Sequence, residues 1–212
     1  MDIFSMNLEN PEAEAIEEAA GYLRKGRAIV FPTDTVYGLG VNALRVDSIE
    51  RLFKIKQRPP SKPVPLIVKD IAMAKQLAYF DSKKEKILNT VWPGAITVVL
   101  SKRDTVPDSL TANQPTVGLR IPDCQFTSDL MEQVDFPVTA TSANISGQDP
   151  LGDSKAVIMA FEKEYLRPEL VLDAGQLPNN PPSTVLDLTT NQPRILRIGA
   201  VDKQKLLEIL GL

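Results

Sequence analysis

DSIERLFKIKQRPPSKPVPLIVKD, residues 47–70, sets the fold class, because within one short stretch it passes from a helical period to a strand. Asp47 followed three residues later by Glu50 has the form of a capping box, and Ile49, Leu52 and Phe53 recur at helical spacing, predicting an amphipathic helix to about Gln57. Pro59 and Pro60 end it. Residues 65–68, PLIV, then read as a buried strand, and Asp70 opens a second helix with Ile71, Ala74, Leu77 and Ala78 inward. Helix, strand and helix in succession point to an α/β fold.

Two features of this stretch bear on function. At roughly 100° per residue, Lys56 falls in the middle of the apolar stripe of its helix. Such a lysine either snorkels past the helix end and complements its dipole, or joins Arg58, thrown out of the helix by the prolines, on a phosphate or carboxylate. Arg51, Lys54, Lys56, Arg58, Lys62 and Lys69 also occur with no acid between residues 51 and 69, in a chain of net charge −3. A local excess of one sign points to an anionic partner.

Upstream, Asn10 and Pro11 read as N-cap and first residue of a helix with Ile16, Ala19, Ala20 and Leu23 buried and Gly26 as its stop. The apolar run ending at Phe31 is a strand that feeds PTDTVYGLG, residues 32–40. Thr33, Asp34 and Thr35 there fit ordinary turn chemistry or a ligand site at a strand end, and Gly38 and Gly40 imply close approach by a ligand or a neighbouring strand. Downstream, Ser82 with Glu85 forms a second capping box, and the helix it opens stops at Trp92, a core residue, and Pro93. AITVVL (95–100) and TVGLRI (116–121) read as strands joined by a loop; Arg120 interrupts the second, so it is salt-bridged at a sheet end or placed for an anion.

A helix near residues 128–134 leads to a strand at 138–141 and the polar turn SANISG, residues 142–147, whose donors could cradle phosphate or adenine. Asp153 caps a helix bearing Val157, Ala160 and Phe161, followed by a strand at 170–172 and a Pro- and Asn-rich loop at 176–182. Strands at 183–188 and 194–198 precede a last helix capped by Asp202. Intermixed strands and helices predict a mixed twisted sheet flanked by helices on both faces, with Thr35, Arg120, Ser142 and Ser183 gathered at strand ends, where ligands of such folds bind.

Composition narrows the chemistry. The 212 residues, 43% hydrophobic and 24% charged, suffice for one domain spanning residues 1–212. No apolar run approaches the roughly 20 residues of a bilayer span, and no signal-peptide pattern opens the chain, so a cytoplasmic protein without membrane association is expected. With no histidine and one cysteine, Cys124, Ser-His and Cys-His catalysis, thiolate metal clusters and internal disulfides are excluded. Chemistry must come from positioning, cationic stabilisation, carboxylate, lysine or an oxygen-bound metal, a set suited to attack on phosphates.

Along nearly its whole length the chain resembles the YrdC-like family of threonylcarbamoyl-AMP synthases. The matching motifs are PTDTVYGLG at Pro32, the K-x-R-P of Lys56 to Pro59, VGLRIPD at Val117, the S-x-N of Ser142 and Asn144, STVLDL at Ser183 and ILRIGA at Ile195. Each is short, and their joint order and spacing carries the resemblance. It implies a YrdC-like fold and formation of threonylcarbamoyl-adenylate and pyrophosphate from L-threonine, bicarbonate and ATP. A separate transferring complex then passes the threonylcarbamoyl group to an adenosine of tRNA.

By the same resemblance Lys56 and Arg58 are catalytic, and with Thr116, Ser142, Asn144 and Arg197 they hold ATP. Thr35, Arg120, Ala140 and Ser183 line the threonine pocket, with Arg120 on the carboxylate. Mg2+ is expected on the ATP phosphates, with Asp34 and Asp173 the carboxylates considered as ligands. Two departures stand out: the segment KPVPLIV, residues 62–68, lacks the histidine many relatives carry, and the end at Leu212 is expected to leave no room for the further domain of longer relatives. The rival readings are a module binding tRNA or double-stranded RNA through the basic run, and a paralogue that keeps the nucleotide site with little synthase activity. Against the first stand a pI of about 5.2 and the absence of an aromatic stacking platform.

Overall fold

The computed structural model describes residues 1–178 and 181–211, so the loop expected at 176–182 lies partly outside the described residues. In chain order the first half contains β1 (Asp2–Ser5), α1 (Ala13–Arg24), β2 (Ile29–Phe31), β3 (Gly38–Gly40), α2 (Val46–Lys56), β4 (Leu66–Ile67), α3 (Ile71–Leu77), β5 (Ala78–Tyr79), α4 (Ser82–Val91) and β6 (Ile96–Lys102). The second half contains α5 (Asp108–Thr111), β7 (Thr116–Arg120), α6 (Gln125–Gln133), β8 (Val138–Thr139), β9 (Thr141–Ser142), α7 (Ser154–Glu162), β10 (Leu170–Asp173), β11 (Thr184–Asp187), β12 (Arg194–Arg197) and α8 (Lys203–Leu210).

The α/β class holds, but the strands divide into two mixed sheets where one was expected. One has five strands in the order β1-β10-β2-β3-β9; the other has seven, β12-β11-β6-β7-β4-β8 with β5 also on β6. The division falls at Ala140. The sequence reads as one strand over 138–141, yet β8 pairs with β4 and β9 with β3, so the chain leaves one sheet and enters the other across that single residue. Its amide donates to Pro65 O (2.7 Å), and bonds from Thr139 N to Val41 O and Ala43 N to Pro137 O tie the seam further.

Local chemistry explains where element ends depart from expectation. Asn7 Oδ1 accepts from the amides of Glu9 and Asn10, holding residues 7–10 in a turn, so α1 begins at Ala13 with Glu12 rather than Asn10 as N-cap. No capping box opens α2: its N-cap is Arg45, whose guanidinium engages Asp47. In α4 the cap is Asp81, one residue before Ser82, accepting from Lys84 N at 2.9 Å. Asp70 and Asp202 cap α3 and α8 as expected, through Met73 N and Lys205 N.

The core joins both sheets: Phe31, Leu39, Leu66, Val98, Leu119 and Leu172 are fully buried. Gly38 and Gly40 are explained by a neighbouring side chain. A Cβ at Gly40 would lie 2.6 Å from the Phe31 ring and 2.8 Å from Val138, so only glycine lets β3 cross Phe31 at the seam.

Candidate active site

A cavity of about 680 Å³ opens where the sheets meet, a volume suited to a small-molecule ligand. Its floor is one face of the seven-stranded sheet. Residues alternate across a strand, so Thr97 and Val99 of β6, Thr116, Gly118 and Arg120 of β7, and Val185 and Asp187 of β11 all face it. Registers set these side chains in rows: Arg197, Val185 and Thr97 in one, Arg194, Asp187, Val99 and Gly118 in the next. The opposite wall comes from Thr33, from residues 35–38 and from Ala140, Thr141, Ser142 and Pro150.

At one end stands Arg120, only 6% exposed. Its guanidinium donates through Nε to Gly94 O (3.0 Å), through Nη1 to Thr35 Oγ1 (3.2 Å) and through Nη2 to Asp34. Asp34 also accepts from Asp123 N, so the buried cation is balanced and held rigidly. Burial pulls its pKa down against the opposing pull of Asp34. These bonds use three of the five N–H groups of a guanidinium, leaving a fork edge for a carboxylate beside the Thr35 hydroxyl. Both alternatives read for Arg120 from sequence are thus compatible: it is salt-bridged, and it still lines the cavity.

The other wall rests on Lys56. As the helical wheel predicts, this side chain points inward and is 1% exposed. Its Nζ donates to Ser142 O, to Asn144 O and to Asn144 Oδ1, the last two at 2.9 Å, three oxygens for the three N–H groups of an ammonium. Burial first, and the Arg58 charge second, lower its pKa to about 7. Ser142 Oγ donates to the same Asn144 Oδ1 (2.6 Å), and Asn144 Nδ2 donates to Ile145 O and Gln148 O. In return, the Ser146 amide donates to Lys56 O, closing the helix end onto the turn. Lys56 and Asn144 thus lie behind the wall as its frame, whereas Ser142 and Arg58 line the cavity. Arg58 is braced by Lys62 O (3.1 Å) and Pro63 O (2.8 Å).

Ser183 and Arg197 complete the sequence-predicted set. Ser183 Oγ meets Thr97 Oγ1 at 2.8 Å, and Arg197 Nη2 donates to Ser183 O at 2.7 Å. Thr35, Arg58, Thr116, Arg120, Ala140, Ser142, Ser183 and Arg197, drawn from positions throughout the chain, therefore share one cavity. Thr97, Asp187 and Arg194 also line it and escaped the sequence reading. A threonine inside the apolar run of β6 and an acid at the end of STVLDL were the available signals. Asp34 and Asp173 do not line the cavity: the first is engaged by Arg120, and the second accepts from Gly175 N. No cluster of three potential metal-ligating side chains occurs among the described residues.

The basic run does not survive as a surface patch. Arg51 pairs with Glu169, Lys54 with Glu50 and Lys69 with Glu132, acids brought in mostly from distant elements, while Lys56 is buried and Arg58 turns into the cavity. Lys62 stays exposed, so three of the six cations are paired at the surface, two turn inward and one faces solvent.

Fold and cavity together define an α/β domain with an arginine-lined cavity of small-molecule size. The family model Sua5/yciO/yrdC, described as "Telomere recombination", matches residues 21–199, and the chain belongs to this family. A threonylcarbamoyl-AMP synthase of Pyrococcus abyssi is 34% identical over 204 residues, covering 96% of this chain and 59% of that protein. The threonylcarbamoyl-AMP synthase of Bacillus subtilis is 33% identical, covering 92% and 56%. This chain thus spans somewhat under three-fifths of the length of these two curated relatives. The crystal structure of P. abyssi Sua5 complexed with L-threonine superposes with a TM-score of 0.93 at 33% identity, covering all of this chain and 61% of that one. Escherichia coli YciO superposes with a TM-score of 0.87 at 28% identity, covering 98% of this chain and 100% of that one.

Proposed function

We propose that this chain forms L-threonylcarbamoyladenylate and pyrophosphate from L-threonine, bicarbonate and ATP. The observation that carries the reading is the convergence of Arg58, Arg120 and Arg197 on one cavity, with the hydroxyls of Thr35, Thr116, Ser142 and Ser183 between them. Arg120 with Thr35 suits an amino-acid carboxylate; Arg58, Ser142, Thr116 and Arg197 suit a nucleotide and its phosphates, with Ala140 and Ser183 toward the threonine. The L-threonine bound to P. abyssi Sua5 supports threonine as a ligand of this fold.

In this reading the threonine amine attacks bicarbonate, forming a carbamate and releasing water. A carbamate oxygen then attacks the α-phosphorus, and the α–β phosphoanhydride bond breaks with its electron pair leaving on pyrophosphate. The carbamate is already an anionic nucleophile, so a site without histidine suffices, and the chain's part is alignment and charge stabilisation. Mg2+ would enter with ATP on phosphate oxygens and water, because the one carboxylate lining the cavity among the described residues, Asp187, is already engaged by Thr189 and Arg194. The product would serve a transferring complex that modifies tRNA, in the cytoplasm; no helix of the described residues is long and apolar enough to cross a membrane.

A second reading is a paralogue that binds nucleotide with little synthase activity; the family also includes E. coli YciO, matched over its whole length, whose name assigns no activity. One assay separates the two. Purified protein with Mg2+ and ATP is expected to release pyrophosphate only when L-threonine and bicarbonate are both present. Release that ignores threonine, or no release in any combination, would defeat the synthase reading.

A further inference from the structure

β12 carries two arginines three residues apart, Arg194 and Arg197. In a regular strand that spacing would place them on opposite faces. Here the pairing with β11 slips: Arg197 lies opposite Val185 and Ile195 opposite Leu186, so Leu196 is an extra residue, while Arg194 lies opposite Asp187. This bulge turns both arginines onto the face that floors the cavity.

The partner of Arg194 is unusual for its place. Asp187 is 5% exposed and is the one carboxylate lining the cavity among the described residues. Thr189 donates to Asp187 Oδ1 through its amide (2.8 Å) and hydroxyl (2.6 Å), and Arg194 Nη2 donates to Oδ2 (2.9 Å). Burial raises the pKa of this carboxyl, but the bonds from Thr189 and Arg194 outweigh it, and the net shift is downward. The charged carboxylate is a fixed anchor. Arg194 meets it by one nitrogen only, and its side chain is 64% exposed at the cavity mouth. Arg58 and Arg120 are more deeply set, and these two and Arg197 are braced by protein oxygens. Arg194 uses Nη2 alone on Asp187, as Arg197 uses Nη2 alone on Ser183, and its other N–H groups remain to meet an anion at the mouth.

We propose that Arg194, aimed by Asp187, receives the terminal phosphates of the nucleotide and holds them as they leave as pyrophosphate. The proposal rests on the synthase reading and adds a phosphate-contact residue to it. As the α–β bond breaks, negative charge accumulates on the departing bridging oxygen. A guanidinium already at the mouth stabilises that charge and accompanies the product toward solvent.

Inorganic pyrophosphate, AMP and L-threonine serve as separate probes in calorimetric titrations of the whole chain. Arg194→Ala is expected to weaken pyrophosphate binding by about 10- to 100-fold, the range of a lost hydrogen-bonded charge, and to leave AMP and L-threonine within about twofold. Arg194→Lys, which keeps the charge without the fork, should recover part of the loss. Arg167→Ala, removing an exposed arginine elsewhere, controls for general charge and should change nothing. Unchanged pyrophosphate affinity in Arg194→Ala, or equal losses of pyrophosphate and AMP, would overturn the assignment while leaving the synthase reading standing. Native protein that binds none of pyrophosphate, AMP and L-threonine would overturn both.

Discussion

Arg120→Ala is expected to lower thermal stability and L-threonine affinity together, and adding Asp34→Asn to restore only the stability. The guanidinium is buried against Asp34, Thr35 and Gly94 O, so its removal leaves a nearly buried carboxylate without its counter-charge. Breaking one side of such a pair costs about 3–5 kcal/mol. For a chain of this size that is roughly 6–20 °C in melting temperature. Asparagine at position 34 removes the stranded charge yet keeps an acceptor for the Asp123 amide, so more than half of the lost stability should return. Threonine affinity should stay at least about tenfold down, because the fork proposed to meet its carboxylate is still missing. Calorimetric titration alongside thermal melts decides the matter. Threonine binding that recovers with stability in the double variant would reduce Arg120 to a structural residue.

The second large effect is expected from Lys56→Met. Methionine fills most of the volume but leaves Ser142 O and Asn144 O without their donor, at about 1–3 kcal/mol each, offset by relief of a buried charge. A net loss of about 2–4 kcal/mol is expected, with turnover down about 10²–10³-fold as the wall carrying Ser142 loosens. The pH dependence has a definite sign. The folded pKa of about 7 lies below the unfolded 10.5, so the unfolded chain binds more protons between these values. The penalty of the buried charge is full below pH 7 and fades toward pH 10.5, so the native chain gains stability over Lys56→Met across that window. Urea unfolding of both proteins at pH 7 and 9.5 tests it. Parallel behaviour would show that Lys56 titrates as an ordinary lysine.

Much of this site was legible because strand ends concentrate polar residues in otherwise apolar runs: Arg120 in TVGLRI and Ser183 in STVLDL stood out for that reason. Lys56 was legible from angle alone. Where reading failed, the deciding interaction was remote. β1, four residues long and mostly exposed, carries no strand signal of its own; it becomes a strand only by pairing with β10, some 168 residues away along the chain, as the Asp2 to Leu170 register shows. The split at Ala140 leaves no periodicity signal, since both halves are extended. Arg194 was invisible for the opposite reason: alternation on a regular strand points it away from Arg197, and no local residue announces the bulge. The capping boxes misled because short polar side chains had competing partners, Arg45 for Asp47 being the plainest.

The bond pattern at Lys56 also constrains how the sequence can vary. Residue 56 accepts from the Ser146 amide through its carbonyl and donates to Ser142 and Asn144 through its ammonium, so two segments almost ninety residues apart form one closed ring. Neither half can drift alone. A shift of α2 by one residue would withdraw the ammonium and turn Ile49, Leu52 and Ile55 out of the core, and a one-residue insertion at 142–146 would displace its acceptors. Helix and turn are thus expected to be exchangeable between relatives only as a pair, and a chimera carrying one without the other should fold yet fail to turn over.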